Sequence, residues 1–455
     1  MTDQLLTHAT ILTFDEQSRV IEDGAIAFDD ETGLIVDVGP TSKVIARRPG
    51  ATVRECRGAV IMPGMINTHT HLFQTLLKGL GDDMVLSEWF ASMTGPSASE
   101  LTWDDCYLAA LHGCAEALTT GTTTLLDFMY VHPRRGLSDA VIAAMEETGI
   151  RGIFARGYVT AGDDVGMPPA LIQPLDTVLH DAHRLIDQHN RPGSLVEIAL
   201  APCMSWSVDE DTLRETARLA DDTGALITMH LAESPFDITE SLRRFGCRDT
   251  ELLRRTDVLG PRLLAVHCVQ CDHDDLGQLA HAGAAVSHNP CSNLYLGSGV
   301  APVSDMLTAG LRVGLATDGP ASSNNLSMFH ALKFAALVPK GVHRDPQIIT
   351  AGQVLRMATR GGAEALGMAD RIGSLEPGKA ADIVLLDPST LSITPMHDPV
   401  SSLVYSHRGD EVRDVWVAGR QVVSDGTPFL VDAGKIRESS SRAALALAER
   451  AGTAR

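Results

Sequence analysis

The residues of this sequence best suited to chemistry are histidines at the ends of apolar runs. The stretch "MPGMINTHTH" turns a corner at Pro63-Gly64 and ends in His69 and His71. Two residues apart on a strand, both imidazoles face the same way, so both can reach one ion. Four more apolar runs end alike, at His230 in "ALITMH", His267 in "LLAVHC", His288 in "AAVSHNP" and Asp318 in "VGLATDG". A single strand-end histidine is ordinarily a hydrogen-bonded core or loop residue, but a whole series of them points to a metal centre. Neutral imidazoles with a carboxylate suit Zn²⁺, and Fe²⁺ is also compatible.

For such distant residues to meet, the runs that carry them must end on one face. Those runs, together with "TTTLLDF", "RGIFARGY" and "SLVEIALAP", make eight short apolar segments separated by longer amphipathic stretches. Strands buried on both faces and alternating with helices imply parallel βα units, and eight of them imply a closed (β/α)8 TIM barrel. In that fold every strand's C-terminal end opens onto the catalytic face. The ends of the chain read differently: "HATILTF" and "GAIAFDDETGLIVDVG" at the start, and "KAADIVLLD" and "SLVYSHRGDEVRDVWVAGRQVVSDG" near the finish, have strand-and-turn character. The expected organisation is a small β-sandwich domain built from residues 1–58 and 379–455, around a barrel spanning 59–378. "DAGKIRESSSRAALALAERAG" is expected to form a terminal helix.

Composition narrows the function classes. At 455 residues the chain exceeds the roughly 250–300 at which one core stops growing, in keeping with a barrel plus a companion domain. No apolar run is long enough to span a bilayer, and "MTDQLLTHATILTF" lacks a signal-peptide pattern, so a cytoplasmic enzyme without membrane contact is expected. The 58 acidic residues outnumber the 37 basic ones along the whole chain, which argues against nucleic-acid binding by phosphate neutralisation. No glycine-rich phosphate loop is present. The Cys268/Cys271 pair forms an isolated C-x-x-C without a second pair at zinc-ribbon spacing, and reads as buried thiols.

Taken together, H-x-H, "HLAE" at 230–233, "HC" at 267, "SHNPCSN" at 287–293, "TDG" at 317–319 and "RIGSLEPGKAADIVLLD" resemble the amidohydrolase superfamily. More narrowly, the chain resembles the branch containing cytosine, guanine, 8-oxoguanine and S-adenosylhomocysteine deaminases and the s-triazine hydrolases. The resemblance implies one divalent ion per chain, held by His69, His71, His230 and Asp318. "APCMSW" at the end of the fourth run has neither the lysine nor the glutamate that bridges two ions in binuclear relatives. It also implies a homodimer or homotetramer. The ion provides hydroxide at neutral pH by lowering the pKa of water from about 15.7 toward 7. Asp318 can accept the water proton, Glu233 can act as general acid/base on the ring nitrogen, and His267 can orient the water or the developing oxyanion, with a ligand role as the alternative.

The expected reaction is hydrolytic deamination of a small-molecule heterocycle, an aminopurine, aminopyrimidine, pterin or aminotriazine. Gln74 is expected at the ring edge, by resemblance to related ring deaminases. Phe73, Trp89, Tyr130 and Trp206 are candidates to stack on the ring, and each is equally suited to the core. Arg156 is expected either to face a substrate oxygen or to form an ion pair under a loop. His288 has a substrate-facing, a supporting or a purely structural reading. S-adenosylhomocysteine deaminases carry a glutamate that grips the ribose where Ala98 aligns, and a histidine where this chain has Cys203, placed here among the substrate contacts. "AGDDVGMPPA" also offers no arginine for a homocysteine carboxylate. These departures favour a free base or small ring over a nucleoside. Chloro- or alkylamino-triazine hydrolysis, adenosine-type nucleoside deamination, a binuclear amide-ring hydrolase and a catalytically silent barrel are the alternatives.

Overall fold

The computed structural model describes residues 3–454. Eight parallel strands run in chain order: Met65–Thr70, Thr122–Met129, Arg151–Tyr158, Val196–Pro202, Ile227–Leu231, Leu263–His267, Ala285–His288 and Arg312–Leu315. They are the eight apolar runs of the sequence. Every residue of Thr122–Met129 and Arg151–Tyr158 is buried, as strands covered by helices outside and packed side chains inside must be. The seam between the last strand and the first is closed by side-chain bonds and one main-chain bond just past the strand ends. Asn67 Nδ2 donates to Thr317 Oγ1 at 2.8 Å, Thr317 N donates to Asn67 Oδ1 at 3.1 Å, and Asp318 N donates to His69 O at 3.1 Å. These bonds bring His69 and Asp318, opposite ends of the barrel sequence, into contact.

The strands from both ends of the chain join in one nine-stranded mixed sheet. Ile383–Leu386 runs antiparallel to Val60–Pro63, which in turn runs parallel to Asp3–Leu12. Ile11, Ile26, Phe28, Ile61, Ile383 and Trp416 share one core, so the N- and C-terminal segments fold as a unit. Val60–Pro63 belongs to this sheet, and the barrel begins after the Pro63-Gly64 corner. A Cβ on Gly64 would lie 1.9 Å from Thr123 Oγ1, so only glycine lets the chain cross between sheets there. A buried bidentate ion pair, Arg151 Nε and Nη2 to Asp382 at 2.9 and 3.0 Å, ties the third barrel strand to the same crossing point.

One segment departs from the expectation. "PVSSLVY" forms a helix, Pro399–Tyr405, capped by Asp398 accepting from Val400 N at 3.0 Å, because Asp-Pro starts a helix and Leu403 and Val404 bury on one side. The terminal helix forms over Ala433–Ala451.

Candidate metal centre and active-site cavity

His69 and His71 close the first barrel strand and His230 the fifth. Their ring nitrogens lie within 4.8 Å of one another, and those of His69, His267 and the Asp318 carboxylate form a second such group. The orientation of each ring is set by what holds its far side. His71 Nδ1 donates to Phe128 O at 2.6 Å and His230 Nδ1 donates to Cys203 O at 2.8 Å. Both Nε2 lone pairs are therefore left facing each other at 3.3 Å, an arrangement that repels unless a cation lies between them. Among the described residues neither ring nitrogen of the fully buried His69 has a hydrogen-bond partner, and its Nε2 lies 3.4 Å from Asp318 Oδ1. Two nitrogens bound to one tetrahedral zinc lie about 3.3 Å apart, so these donors fit a zinc-sized ion.

Charge states agree with that assignment. Burial lowers His71 to about 3, with His69 adding to the effect, and burial holds His69 and His230 below their ordinary values, so all three imidazoles are in the neutral, ligating form. Burial opposes ionisation of Asp318, but the adjoining His69, His267 and His71 hold its carboxyl well below the usual range.

Glu233 follows the fifth strand. Ala232 before it takes a left-handed φ of +48° and is held by its N–H donating to Asp249 Oδ2 at 3.1 Å, which turns Glu233 back over the barrel mouth. Its carboxylate lies 3.5 Å from His267 Nε2 and accepts from Ser298 Oγ at 3.1 Å. Burial pushes Glu233 up to about 7 against the pull of His267, with Asp237 and Asp318 adding to the rise. Burial alone would lower His267, but Glu233, Asp318 and the bond to Asn293 Oδ1 at 2.8 Å raise it.

A cavity of about 380 Å³ opens above these groups. His71, His230, His267, Glu233 and Asp318 form its floor, and Gln74, Trp89, Tyr130, Cys203 and Trp206 stand in its wall. Gln74 is buried with Oε1 unpartnered, Trp89 Nε1 donates to Ala321 O at 3.0 Å, and Trp206 Nε1 donates to Asp237 Oδ1 at 2.9 Å. Phe73 packs behind His71, with ring centroids 6.2 Å apart, and does not line the cavity. Val85, Leu86, Phe90, Val165, Met167 and Phe236 make the outer wall apolar, and among the described residues no Lys or Arg lines it.

Two expected substrate contacts are corrected. Arg156 shares strand parity with Tyr158, whose hydroxyl bonds Thr216 Oγ1 outside the barrel, so it points away from the cavity. Its Nε pairs with Asp181 at 2.8 Å and its Nη2 with Gln173 Oε1 at 3.0 Å, beneath a separate cleft. His288 is buried beside Pro290, Asn293 and Val338, outside the active-site cavity; burial first, then His267, lowers it to about 4. Ala98 is fully buried in the short helix Gly95–Ser99 and is likewise absent from the wall. The sequence reading left Asn293, Ser298, Phe90 and Phe236 without roles, although "SHNPCSN" already contained Asn293.

Residues 60–422 match the sequence profile of the amidohydrolase family. The chain belongs to this family. Over 424 residues this amidohydrolase is 37% identical to the 5-methylthioadenosine/S-adenosylhomocysteine deaminase of Nitratidesulfovibrio vulgaris (strain DP4), covering 93% of this chain and 92% of the relative. An adenosine deaminase from Xanthomonas campestris with bound zinc superposes with a TM-score of 0.92 at 30% identity, covering 98% of this chain and 99% of that one. The atrazine chlorohydrolase of Arthrobacter aurescens complexed with zinc superposes at 0.91 with 29% identity, covering 97% and 99%.

Proposed function

We propose that this amidohydrolase is a metal-dependent deaminase that replaces the exocyclic amine of an aminated N-heterocycle by a carbonyl oxygen and releases ammonia. The observation that carries the reading is Glu233, a buried carboxyl beside the histidine cluster, pushed up to about 7 and so able to hold and release a proton near neutrality. One divalent ion, held by His69, His71, His230 and Asp318, would supply water activated at neutral pH. The donor set and the zinc named in the neighbouring structures favour Zn²⁺. The fourth strand ends at Pro202 and is followed by Cys203, with neither a lysine nor a glutamate there to bridge a second ion.

Asp318, the one carboxylate among the donors, takes the proton of the attacking water. Glu233 protonates the ring nitrogen beside the attacked carbon, takes up the hydroxyl proton of the adduct and passes it to the departing amine, and the proton held by Asp318 then restores Glu233. His267, its Nδ1 bonded to Asn293, holds Nε2 toward the attacking oxygen. Gln74 meets the ring edge with its free Oε1, and Trp89 and Tyr130 flank the ring.

The ring is an aminopurine, aminopyrimidine, pterin or aminotriazine. Adenosine-type nucleosides belong at the head of the test panel, because the relatives are named for them. The protein is proposed to act in the cytoplasm as a homodimer or homotetramer, which sedimentation velocity tests. The functional test is ammonia release by zinc-reconstituted protein across free bases, nucleosides, pterins and triazines. Turnover of an aminated ring is expected. Chloride release from a chlorotriazine with no ammonia from any ring would overturn deamination in favour of the activity named for the chlorohydrolase neighbour.

A further inference from the structure

One short segment touches every group of the site that handles a proton. The helix Pro290–Tyr295 follows the seventh barrel strand, and the turn after it ends at Gly299, whose N–H donates back to Asn293 O at 3.3 Å. From this segment Ser292 Oγ donates to Asp318 Oδ2. Asn293 Oδ1 meets His267 Nδ1 at 2.8 Å, and Ser298 Oγ donates to Glu233 Oε1 at 3.1 Å. All three side chains are buried, so Ser292 Oγ, Asn293 Oδ1 and Ser298 Oγ make these bonds away from bulk water.

Gln270 fixes the segment against the loop that carries Glu233. Its main-chain N–H donates to Ala232 O at 2.8 Å, and its Nε2 donates to Ser298 O at 3.0 Å. A second clamp holds Gln270 itself, since Arg248 Nη2 donates to its carbonyl at 2.8 Å. The distances among Asp318, His267 and Glu233 are therefore set through one rigid piece of backbone, although the three sit on three different barrel strands or the loops after them.

We infer that the segment 292–298 is the positioning element of the site: Ser292 aims Asp318, Asn293 fixes the ring of His267 with its proton on Nδ1, and Ser298 aims the Glu233 carboxylate. The inference rests on the proposed proton-handling roles of those three groups. Each contact engages one atom of its target and leaves the other facing the site, where Asp318 Oδ1 also accepts from Gly319 N at 2.6 Å. With Ser298 on Oε1, Glu233 keeps Oε2 toward His267; with Ser292 on Oδ2, Asp318 keeps Oδ1 toward His69 and His71, at 3.4 and 3.3 Å. With Nδ1 bonded to Asn293, His267 turns Nε2 toward Glu233 and the cavity.

The test uses Ser298→Ala, Ser298→Thr, Asn293→Leu and Asn293→Asp in the full-length zinc-reconstituted protein. With adenosine, 5′-methylthioadenosine and adenine as probes, Ser298→Ala is expected to lower kcat about 10-fold with little change in KM, and Ser298→Thr to restore most of it. In a Glu233→Gln background the Ser298→Ala effect should shrink to within about 2-fold, because a residue acting through Glu233 has nothing left to aim. Two readouts need no turnover. A crystal structure of Ser298→Ala should show the Glu233 carboxylate displaced with His69, His71 and His230 unmoved. ¹⁵N-histidine spectra should show His267 protonated on Nδ1 in the wild type and in Asn293→Asp, and no longer fixed there in Asn293→Leu. An undisplaced Glu233 in Ser298→Ala crystals, an undiminished Ser298→Ala effect in the Glu233→Gln background, or a wild-type His267 without a proton on Nδ1 overturns the inference. If none of these probes is turned over, the deaminase reading loses its purine arm and the kinetics move to whichever ring of the wider panel releases ammonia, while the crystal and the spectra still decide this inference.

Discussion

Replacing Glu233 by Gln isolates proton transfer from everything else the site does. The side chain keeps its length and shape, and its amide oxygen can still accept from Ser298 Oγ, which sits 3.1 Å from the carboxylate. Neither group of donors at metal-ligand spacing includes Glu233, so the ion should stay. What is lost is a buried group, pushed up to about 7, able to give and take a proton near neutral pH. General acid/base catalysis contributes roughly 10²- to 10⁴-fold. At about 1.36 kcal/mol per decade, the barrier should therefore rise by about 3–5 kcal/mol. The fall should appear in kcat, with KM nearly unchanged, because the ring contacts from Gln74, Trp89 and Tyr130 remain. Ammonia release followed with a coupled dehydrogenase, and zinc measured by mass spectrometry on the same sample, give both quantities. Turnover within about 3-fold of wild type would falsify the proton-transfer role, and loss of zinc along with activity would move Glu233 into the ligand set.

Other perturbations probe the remaining parts. His230→Ala should reduce zinc affinity by more than the roughly 10–100-fold that loss of an outer hydrogen-bond partner costs, read by competition with a chelator, while circular dichroism stays native. Gly319→Ala places a Cβ 1.9 Å from Gln74 Oε1; the flexible amide must swing away, so KM should rise about 10-fold with folding intact. Asp382→Ala strips the buried Arg151 of its carboxylate and should cost about 3–5 kcal/mol in urea unfolding, whereas a cost near zero would show that the pair does not couple barrel and terminal sheet. Burial, opposed by the Leu72 N–H, pushes Asp127 up to about 7 from an ordinary value of 3.8. Its folded form therefore holds a proton that the unfolded chain releases, a penalty absent below about pH 4, growing through pH 4–7 and complete above. Asp127→Asn should accordingly gain stability relative to wild type between pH 5 and pH 8, and a pH-independent difference in unfolding midpoint would refute this.

Much of the molecule is legible from local pattern because the pattern is local physics. Eight apolar runs of strand length, separated by amphipathic stretches, can bury themselves only as parallel strands beneath helices, and the barrel follows. His69 and His71 are legible as a pair because alternation along a strand is a property of the backbone alone. His230, His267 and Asp318 are legible because they end strands that must open on the same face. The Asp-Pro start and helical spacing of "DPVSSLVY" were also present in the sequence, and were outweighed by the strand-like text that follows.

Other features belong to the tertiary structure alone. Arg156 lies near the end of its strand as His230 does, yet the parity of the third strand sends it outward to Asp181, and parity is set by register with neighbouring strands. His288 ends the seventh strand and still misses the cavity. Val60–Pro63 reads as the first half of a barrel strand, and pairing with Ile383–Leu386, which lies far along the chain, assigns it to the other sheet. The bonds from Ser292, Asn293 and Ser298 to Asp318, His267 and Glu233 have no signature in spacing. A hydrogen bond between residues on different barrel strands depends on where closure of the barrel places them, and only the closed barrel fixes those distances to a fraction of an ångström.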